Sequence, residues 1–442
     1  MRNVRVALLG CGTVGGGVVQ LLRANAEYLA SRVGAPLEIA RVLVRTSEKG
    51  RVPELDRSLL TTDPEAVLGD ASIDVFVEVM GGVDPARSYV ERALDGGQSV
   101  VTANKMLLAL HGPSLVDRAI QRGADLAFEG SVGGGIPVVR ILREAFASDW
   151  VTSLFGIVNG TCNYILTRMR QDGLGFDDAL AEAQQRGYAE ADPTLDVDGH
   201  DAAHKLVVLA MLAFGARVDA ARVPTEGIRG IEAVDHKFAG RFGFAVKHLA
   251  IGRDLGGRIE LRVHPALVPR EATLANVHGV LNAIALEGRA LGPCLLSGRG
   301  AGDMPTAVSV VADVLDVARA RLNGAAGLMT RGIQLQAREL APLSEVTGRY
   351  YLRFQVFDHP GVLAAIAGAL GAAGVSIAEL VQEGGGDAKG AAVQIVILTH
   401  KSRESDVQQA ISAVAASDFV AFPTRLLRIE DGLSGAATTR KE

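Results

Sequence analysis

The fold of the first part of the chain is decided by the stretch VRVALLGCGTVGGGVVQLL, residues 4–22. The apolar run at residues 4–9 predicts a buried strand, and residues 14–22 have the spacing of a helix. A G-x-G-x-x-G motif joins the two, formed by Gly10, Gly12 and Gly15. The first glycine permits a tight turn, the second lets backbone approach a pyrophosphate, and the third lets helix and strand pack closely. The stretch therefore predicts a dinucleotide site on a Rossmann-type, doubly wound parallel sheet.

The residues around this loop extend the predicted cofactor site. Thr13 and Val14 open the helix whose N-terminus faces the phosphates. The next strand, at residues 37–46, ends with Arg45 and is followed by Lys49, where NAD sites usually carry an acid. A base at this position suits the 2′-phosphate of NADP, while nearby Glu48 leaves NAD open as an alternative.

Two further strand ends are predicted to border the same crevice. The buried strand in IDVFVEVMGG (residues 73–82) is followed by Gly81, and the strand in VVTANK is followed by Lys105. Ligands of such sheets bind at the carboxyl ends of the strands. Lys105 is therefore interpreted as a catalytic group, the alternative being a solvent-exposed loop base. We predict a nucleotide-binding domain over residues 1–136.

Composition excludes several classes of protein. The chain has 442 residues, enough for about two or three domains, and 48% are hydrophobic. A net charge of −5 argues against nucleic-acid binding, which usually leaves a basic footprint. The three cysteines are far apart, which fits a reducing cytoplasm. No apolar segment reaches the roughly 18 residues that would suggest a membrane span.

The stretch GYAEADPTLDVDGHDAAHK, residues 187–205, is rich in acids and ends on a lysine. A helix is predicted from His200, which places Asp201 and Lys205 four apart on one face. This pair is either a plain ion pair or part of a pocket for a cationic substrate. His200 and His204 share another face, but with no third ligand nearby a zinc site is the weaker interpretation.

The residues around this stretch resemble the signature of the homoserine dehydrogenase family. The matching positions are Ala183, Gly187, Asp192, Pro193, Asp196, Gly199, Asp201 and Lys205. VVTANK, NGTCNYIL and GRGAGDMPTA also resemble that family, and the resemblance covers essentially the whole chain. It implies reversible NAD(P)H-dependent reduction of L-aspartate 4-semialdehyde to L-homoserine.

The resemblance also implies roles for particular residues. Lys205 and Lys105 would bracket the carbonyl oxygen; the family favours Lys205 as proton donor, and sequence alone does not decide. The substrate positions it implies are Glu190, Asp196, Asp201, Asn159, Gly160 and Thr161. Gly302 lies in the stretch that returns to the cofactor. A monovalent cation such as sodium would be held by backbone carbonyls in the stretch that contains Glu129, Val132, Gly134 and Ile136.

The rest of the chain divides into two further predicted domains. Residues 137–302 are predicted as an α+β substrate-binding and dimerisation domain, and residues 303–325 complete the first domain. A polar linker at 337–349 leads to residues 350–430, which have βαββαβ order and resemble a ferredoxin-like ACT domain. Residues 431–442 are predicted to be a flexible tail. The resemblance implies a homodimer or homotetramer.

The ACT resemblance points to regulation. Its turn motif is carried by Asp358, Pro360, Gly361, Val362 and Leu363. It implies feedback inhibition by L-threonine, the alternative being a packing domain that has lost its ligand. For the whole chain the alternatives are an inactive amino-acid sensor, separated by the absence of turnover, and a zinc hydrolase, separated by metal analysis.

Overall fold

The structure is a computed structural model that describes residues 2–46, 55–384 and 392–433. Lys49 therefore lies outside the described residues, as does most of the predicted tail.

The first part of the chain builds a parallel sheet with helices around it. Its elements are β1 (Val4–Leu9), α1 (Thr13–Ala24), α2 (Ala26–Val33), β2 (Leu37–Leu43), β3 (Leu60–Thr61), α3 (Glu65–Leu68), β4 (Val75–Glu78), α4 (Ala86–Asp95), β5 (Ser99–Thr102), α5 (Lys105–Arg122) and β6 (Leu126–Ala127). The strand order is β3-β2-β1-β4-β5-β6, and every pairing is parallel. This order is the doubly wound Rossmann arrangement, with its crevice at the end of β1, so the predicted fold class is confirmed.

The second part adds a mostly antiparallel sheet. Its elements are α6 (Val138–Arg140), which continues as a π-helical turn at Ile141–Ala145, β7 (Val151–Ile157), α7 (Gly160–Asp172), α8 (Phe176–Gln185), α9 (Thr194–Val197), α10 (His200–Ala213), β8 (Ala216–Arg217), α11 (Ala233–Arg241), β9 (Phe244–Asp254), β10 (Arg258–Pro269), β11 (Leu281–Gly288), β12 (Gly292–Arg299), α12 (Asp303–Leu322) and α13 (Leu328–Arg331). The sheet runs β12-β11-β7-β9-β10. The predicted helix start at His200 is confirmed.

Helix α12 carries the chain back to the first sheet. A Cβ on Gly17 of α1 would lie 2.9 Å from the Cβ of Ala307 on α12, so the two helices are in close contact. Ala307 itself is fully buried. The small residues at this crossing let α12 pack beside α1 at the edge of the crevice.

The last part forms a second α+β unit. Its elements are β13 (Gln336–Ala337), β14 (Glu339–Leu340), β15 (Thr347–Phe357), α14 (Val362–Ala372), β16 (Ile377–Glu383), β17 (Ala392–Thr399), β18 (Ser402–Arg403), α15 (Glu404–Ala415) and β19 (Val420–Ile429). Its four main strands lie in the order β19-β15-β17-β16, all antiparallel. This is the predicted βαββαβ order.

The last unit is joined to the second part by one continuous sheet. In this sheet β19 pairs in parallel with β10, through Ala266 opposite Arg428. Within the linker, β13 pairs with β8 and β14 with β10. The stretch before α10 contains the single turn α9, which lies between Pro193 and Gly199. Polar composition and helix-breaking residues do not reveal backbone pairing or an isolated turn.

Candidate active site

The glycine loop has the close contacts that its spacing predicts. Gly10 has φ +103°, and a Cβ there would lie 2.9 Å from the carbonyl oxygen of Val79. A Cβ on Gly15 would lie 2.6 Å from the carbonyl oxygen of Gly10. Gly12 has no atom within 4 Å of its Cβ position. The first and third glycines are thus required by packing, while the second faces open space where a ligand can approach.

A cavity of about 290 Å³ lies in front of this loop. The start of α1 reaches it through Thr13 and Val14, and the start of α12 through Gly302 and Asp303. Gly302 has φ +122°, which favours glycine. The walls also include Lys105 and Lys205. Two helix N-termini, whose free N–H groups favour anions, therefore meet two lysines in one cleft.

A buried carboxyl group, that of Glu78, holds the ends of strands β4 and β5 in place. Glu78 is fully buried and accepts hydrogen bonds from the hydroxyl of Thr102 (2.6 Å) and the backbone N–H of Met80 (2.8 Å). Burial raises its pKa, against the lowering effect of these bonds. Asn104 accepts from the N–H of Leu107, which caps α5, and donates to the carbonyl of Gly82 (2.6 Å). These bonds fix the start of α5, where Lys105 lies.

Asp201 lies between the two lysines. Its Oδ2 accepts from Nζ of Lys205 at 2.7 Å, and its Oδ1 is 2.5 Å from Nζ of Lys105. Lys205 also donates to the carbonyl of Val158 (2.7 Å). The side chain of Lys205 is 9% exposed and that of Lys105 is 42% exposed. A single carboxylate therefore holds two ammonium groups, one buried and one on the wall of the cleft.

The two lysines differ in the direction of their pKa shifts. Burial lowers the pKa of Lys205, and Lys105 lowers it further, so the attraction of Asp201 is outweighed. Burial also lowers the pKa of Lys105, but the charges of Asp201, Asp196 and Glu190 outweigh it and raise that pKa. The pKa of Asp201 is lowered because the two lysines together outweigh its burial. Lys205 is thus the ammonium that gives up its proton more easily.

Asn159 connects the remaining acids to this group. Its Oδ1 caps α7 by accepting from the N–H of Cys162, and its Nδ2 donates to Asp196 (2.7 Å) and Asp201 (2.9 Å). Burial raises the pKa of Asp196, and the charge of Asp201 raises it further. Glu190 is exposed on the same side, near Lys105. Asn159 therefore links Asp196 to Asp201, and the charges of Asp196 and Glu190 act on Lys105.

Comparison with known proteins gives this site a family. The family models for "Homoserine dehydrogenase" and "Homoserine dehydrogenase, NAD binding domain" match residues 137–315 and 10–129. A homoserine dehydrogenase from Neisseria gonorrhoeae is 41% identical over 434 residues, which covers 97% of this chain and 99% of that protein. The chain belongs to the homoserine dehydrogenase family. It is an oxidoreductase of that family, acting on a CH–OH group with a nicotinamide cofactor.

Further matches agree with this assignment. A homoserine dehydrogenase from Pseudomonas aeruginosa is also 41% identical, over 97% of this chain and 99% of that one. The crystal structure of a homoserine dehydrogenase from Thiobacillus denitrificans has a TM-score of 0.90 at 41% identity, covering 98% of this chain and 99% of that chain. An ACT domain model matches residues 350–417, so the chain carries an ACT domain in its C-terminal part. No helix among the described residues has the length and apolarity to cross a membrane.

Several predicted substrate residues are already engaged within the protein. The hydroxyl of Thr161 donates to the carbonyl of Tyr188 (2.6 Å). A Cβ on Gly160 would lie 2.9 Å from the carbonyl of Val280, so this glycine allows close packing at the start of α7. Asp201, predicted to hold the substrate, is occupied by both lysines. Each of these three residues thus has a partner or a close neighbour inside the protein, and their contact with substrate stays a prediction.

Two predicted cofactor residues, Arg45 and Gly81, lie outside the glycine loop. Arg45 is exposed just beyond the end of β2, beside the glycine loop, since Gly10 donates to the carbonyl of Leu43 (3.0 Å). Gly81 has φ +74° in the loop after β4. Sequence reasoning missed Ser131, Ala301 and Thr306, which line the cleft. The GRGAGDMPTA motif was the available signal for the last two.

The predicted cation stretch is held by internal hydrogen bonds. The carboxylate of buried Glu129 accepts from the backbone N–H groups of Val139 (2.9 Å) and Arg140 (2.7 Å), so it caps α6. The carbonyls of Gly134 and Ile136 each accept one hydrogen bond, at 2.7 and 2.8 Å, and Val132 is fully buried. The side chain of Glu129 is thus a helix cap, while the backbone carbonyls remain available for a second partner.

The remaining predicted groups are the two histidines of α10 and the turn motif of the ACT domain. His200 is exposed, and burial lowers the pKa of His204. In the described ranges no cluster of three or more His, Cys, Asp or Glu side chains could hold a metal ion. In the ACT turn, Asp358, Pro360, Gly361 and Leu363 are exposed, and Val362 is buried. Gly361 has φ +97° at the start of α14.

Proposed function

We propose that the chain interconverts L-aspartate 4-semialdehyde and L-homoserine, with Lys205 as the group that gives and takes the proton. The observation that carries this proposal is the pair of lysines held by Asp201 beside the glycine loop. The substrate has an aldehyde, an ammonium and a carboxylate. The cleft offers cations for the first and last of these and acids for the second.

The proton step follows from the difference between the lysines. A nicotinamide cofactor held at the glycine loop would supply the hydride for the aldehyde carbon. As the C–H bond forms, the carbonyl electron pair moves to oxygen, and Lys205 donates a proton there and becomes a neutral amine. Its lowered pKa brings it closer to neutrality, where a general acid works best. Lys105, with its raised pKa, stays charged and stabilises the developing alkoxide.

The acids have separate tasks in this scheme. Asp201 keeps both ammonium groups aimed at one point, because each of its oxygens contacts one lysine. Asp196 and Glu190 hold the substrate ammonium. Asn159 holds Asp196 and Asp201 in fixed relative positions by donating a hydrogen bond to each. The substrate is thereby oriented with its aldehyde toward the lysines.

NADP is the proposed cofactor, with NAD as the alternative. Arg45 is exposed at the end of β2, where a 2′-phosphate would lie, and no acid ends that strand. A hyperthermophilic archaeal homoserine dehydrogenase was solved in complex with NADPH; it has a TM-score of 0.61 at 26% identity, covering 72% of this chain and 98% of that one. Gly12, with open space at its Cβ position, is the backbone position that fits the pyrophosphate.

We also propose a monovalent cation on the backbone carbonyls of the stretch from Glu129 to Ile136. A carbonyl oxygen has two lone pairs, so those of Gly134 and Ile136 can each take a cation besides their present hydrogen bond. Activity that rises when sodium or potassium chloride replaces tetramethylammonium chloride at equal ionic strength supports it. Equal activity in all three salts contradicts it.

Regulation and assembly complete the proposal. L-Threonine is the proposed effector of the ACT domain at the exposed turn around Asp358, and a homodimer or homotetramer is the proposed assembly. β12 lies at the edge of the sheet with Leu295 40% exposed and Leu291 58% exposed, which suits a subunit contact. Light scattering after gel filtration measures the assembly, and a monomer at micromolar concentration contradicts it.

The test of the reaction is a spectrophotometric assay of homoserine oxidation. NADP⁺ and NAD⁺ are compared in parallel, each with and without L-threonine. Homoserine-dependent reduction of either cofactor supports the reaction, and the ratio of the two rates gives the preference. Folded protein with no turnover on either cofactor would favour the inactive amino-acid sensor.

A further inference from the structure

A second cavity lies where the substrate sheet meets the ACT sheet. Its volume is about 180 Å³, and its walls come from β9, β10, β15, β19 and the turn between β17 and β18. We call it the junction cavity and define it by its five cationic residues, Arg253, Arg262, Arg349, Lys401 and Arg428. It is separate from the cleft and from the ACT turn at Asp358, neither of which shares a lining residue with it.

Two of the five cations, Arg253 and Arg262, are neutralised by carboxylates. Arg262 bonds Glu260 (2.7 Å) and Glu430 (2.8 Å), and Arg253 bonds the same two carboxylates at 2.8 and 2.7 Å. Two guanidinium groups therefore share two carboxylates in a closed, neutral arrangement. The charges of these four residues cancel, so Arg253 and Arg262 offer no net charge to a ligand in the junction cavity.

Arg428 differs from these two arginines, because one of its nitrogen donors has no acceptor. Its Nε and Nη2 bond Glu404 at 2.9 and 2.7 Å, and Nη2 also contacts Glu226 at 2.8 Å. Its Nη1 is buried and has no hydrogen-bond partner among the described residues. The side chain is only 4% exposed. A buried N–H donor on a charged group is unfavourable when it has no acceptor, so an acceptor from outside the protein would stabilise it.

Lys401 adds a second available cation. It lies between β17 and β18, lines the junction cavity and is exposed. Within the described ranges no carboxylate pairs with it. An acceptor that reaches Arg428 in this cavity therefore also lies near an ammonium whose charge is not neutralised. A carboxylate, with two acceptor oxygens, matches that combination.

We propose that the junction cavity binds a small carboxylate, of the amino-acid or oxo-acid class, through Arg428 and Lys401. The size fits this class: about 180 Å³ corresponds to about six waters of ~30 Å³ each and is below the range of drug-sized pockets. Both signs of charge line the cavity, since Glu430 and Asp431 are present beside the cations.

A series of close neighbours connects this cavity to the start of α10. Arg428 contacts the carboxylate of Glu226, and the backbone carbonyl of Glu226 lies 3.0 Å from Nε2 of His248. His248 packs near Gly199, which precedes α10, since a Cβ built on that glycine would lie 3.2 Å from Nε2. Because α10 carries Asp201 and Lys205, we expect a carboxylate that moves Arg428 to change the rate of turnover.

The test is isothermal titration calorimetry on the full chain with four separate probes: L-threonine, L-aspartate, 2-oxobutyrate and inorganic phosphate. We expect at least one of the three carboxylates to bind and to change the rate of homoserine oxidation. Lys401→Gln should weaken that binding at least fivefold and leave the rate without probe unchanged. Arg403→Gln removes a nearby exposed charge that does not line the cavity and should leave binding unchanged. Arg428→Lys, which lacks Nη1, should weaken binding as Lys401→Gln does.

Three outcomes would overturn the proposal. Binding of none of the carboxylates, or of phosphate alone, rules out the ligand class. Equal binding by Lys401→Gln and Arg403→Gln places the ligand elsewhere, and loss of binding in Asp358→Asn alone places it at the ACT turn. Calorimetry needs no turnover, so failure here is distinct from failure of the proposed reaction.

Discussion

The cleft and the junction cavity each bury an ionic cluster, but the clusters are built from different cations. In the cleft one carboxylate, Asp201, holds two lysines. At the junction two guanidinium groups, those of Arg253 and Arg262, share two carboxylates. The first cluster has more positive than negative groups in direct contact, and the second is balanced.

This difference separates a cluster for chemistry from one for structure. Arginine does not lose its proton in proteins, and its planar fork pairs with carboxylates in fixed geometry. Burial lowers the pKa of Arg262, but Glu430 and Glu260 outweigh burial and raise it. Lysine changes its pKa readily when buried, and Lys205 shows that shift. We therefore expect the cleft to move a proton and the junction to keep its charges.

The strongest way to break the comparison is to remove the cleft's buried lysine. Lys205→Ala should lower turnover by about 10²–10⁴-fold, the usual effect of losing a general acid. Steady-state kinetics measure this, with NADPH fluorescence titration to show that cofactor binding is retained. Lys237→Ala, at an exposed lysine far along the chain on α11, is the matched control. Near-normal turnover would refute Lys205 as the acid.

The junction should respond in stability instead. Arg262→Met leaves buried Glu260 and Glu430 short of a partner, and breaking a buried ion pair in this way destabilises by about 3–5 kcal/mol. Urea unfolding followed by circular dichroism measures the free energy of unfolding. Arg258→Met, which removes an exposed pair with Glu345, should change it little. Equal losses of unfolding free energy in the two variants would mean that the buried ion pairs stabilise the fold no more than the exposed pair does.

Asp201→Asn sharpens the comparison, because it keeps the shape of the cleft and removes its negative charge. Misplacement of Lys205 should lower turnover about 10²-fold. The charge of Asp201 raises the pKa of Lys205, so the substitution lowers that pKa. In homoserine oxidation Lys205 acts as base, and the rate falls as pH drops below its pKa. The acidic limb of the pH–rate profile should therefore move to lower pH, and a limb that stays in place contradicts the pairing.

The smallest effect is expected at the exposed edge of the cofactor site. Arg45→Ala should weaken NADPH binding about tenfold, since one hydrogen bond to a charged group contributes about 1.5 kcal/mol or more. NADH binding should hardly change. Fluorescence titration with both cofactors measures the ratio, and Arg41→Ala on the same strand is a control for loss of charge. Equal weakening for the two cofactors would remove the 2′-phosphate role.

Much of this fold could be predicted because its signals are local. The glycine motif, the apolar strands and the helix from His200 each depend on a few neighbouring residues. The join between β10 and β19 could not be, because it pairs residues such as Ala266 and Arg428 that are far apart in sequence. The same holds for the linker strands, whose backbone bonds leave no mark in composition.

The candidate site likewise combines local features that could be predicted with contacts between distant residues that could not. Asp201 and Lys205 were predicted as a helical pair, since a four-residue spacing fixes their contact. That Lys105 would reach the other oxygen of Asp201, and that the carbonyl of Val158 would hold Lys205, required the fold. The family resemblance implies that Asp201 and Thr161 contact the substrate, but it does not reveal the partners inside the protein that the fold gives these two side chains.

The central claim is that Lys205 carries the proton, and pH–rate profiles of homoserine oxidation test it most directly. Wild type, Lys205→Ala and Lys105→Ala are measured in parallel at saturating homoserine and cofactor. We predict an acidic limb in wild type and in Lys105→Ala, and a residual rate without that limb in Lys205→Ala. A limb that persists in Lys205→Ala and disappears in Lys105→Ala would contradict the claim and assign the proton to Lys105.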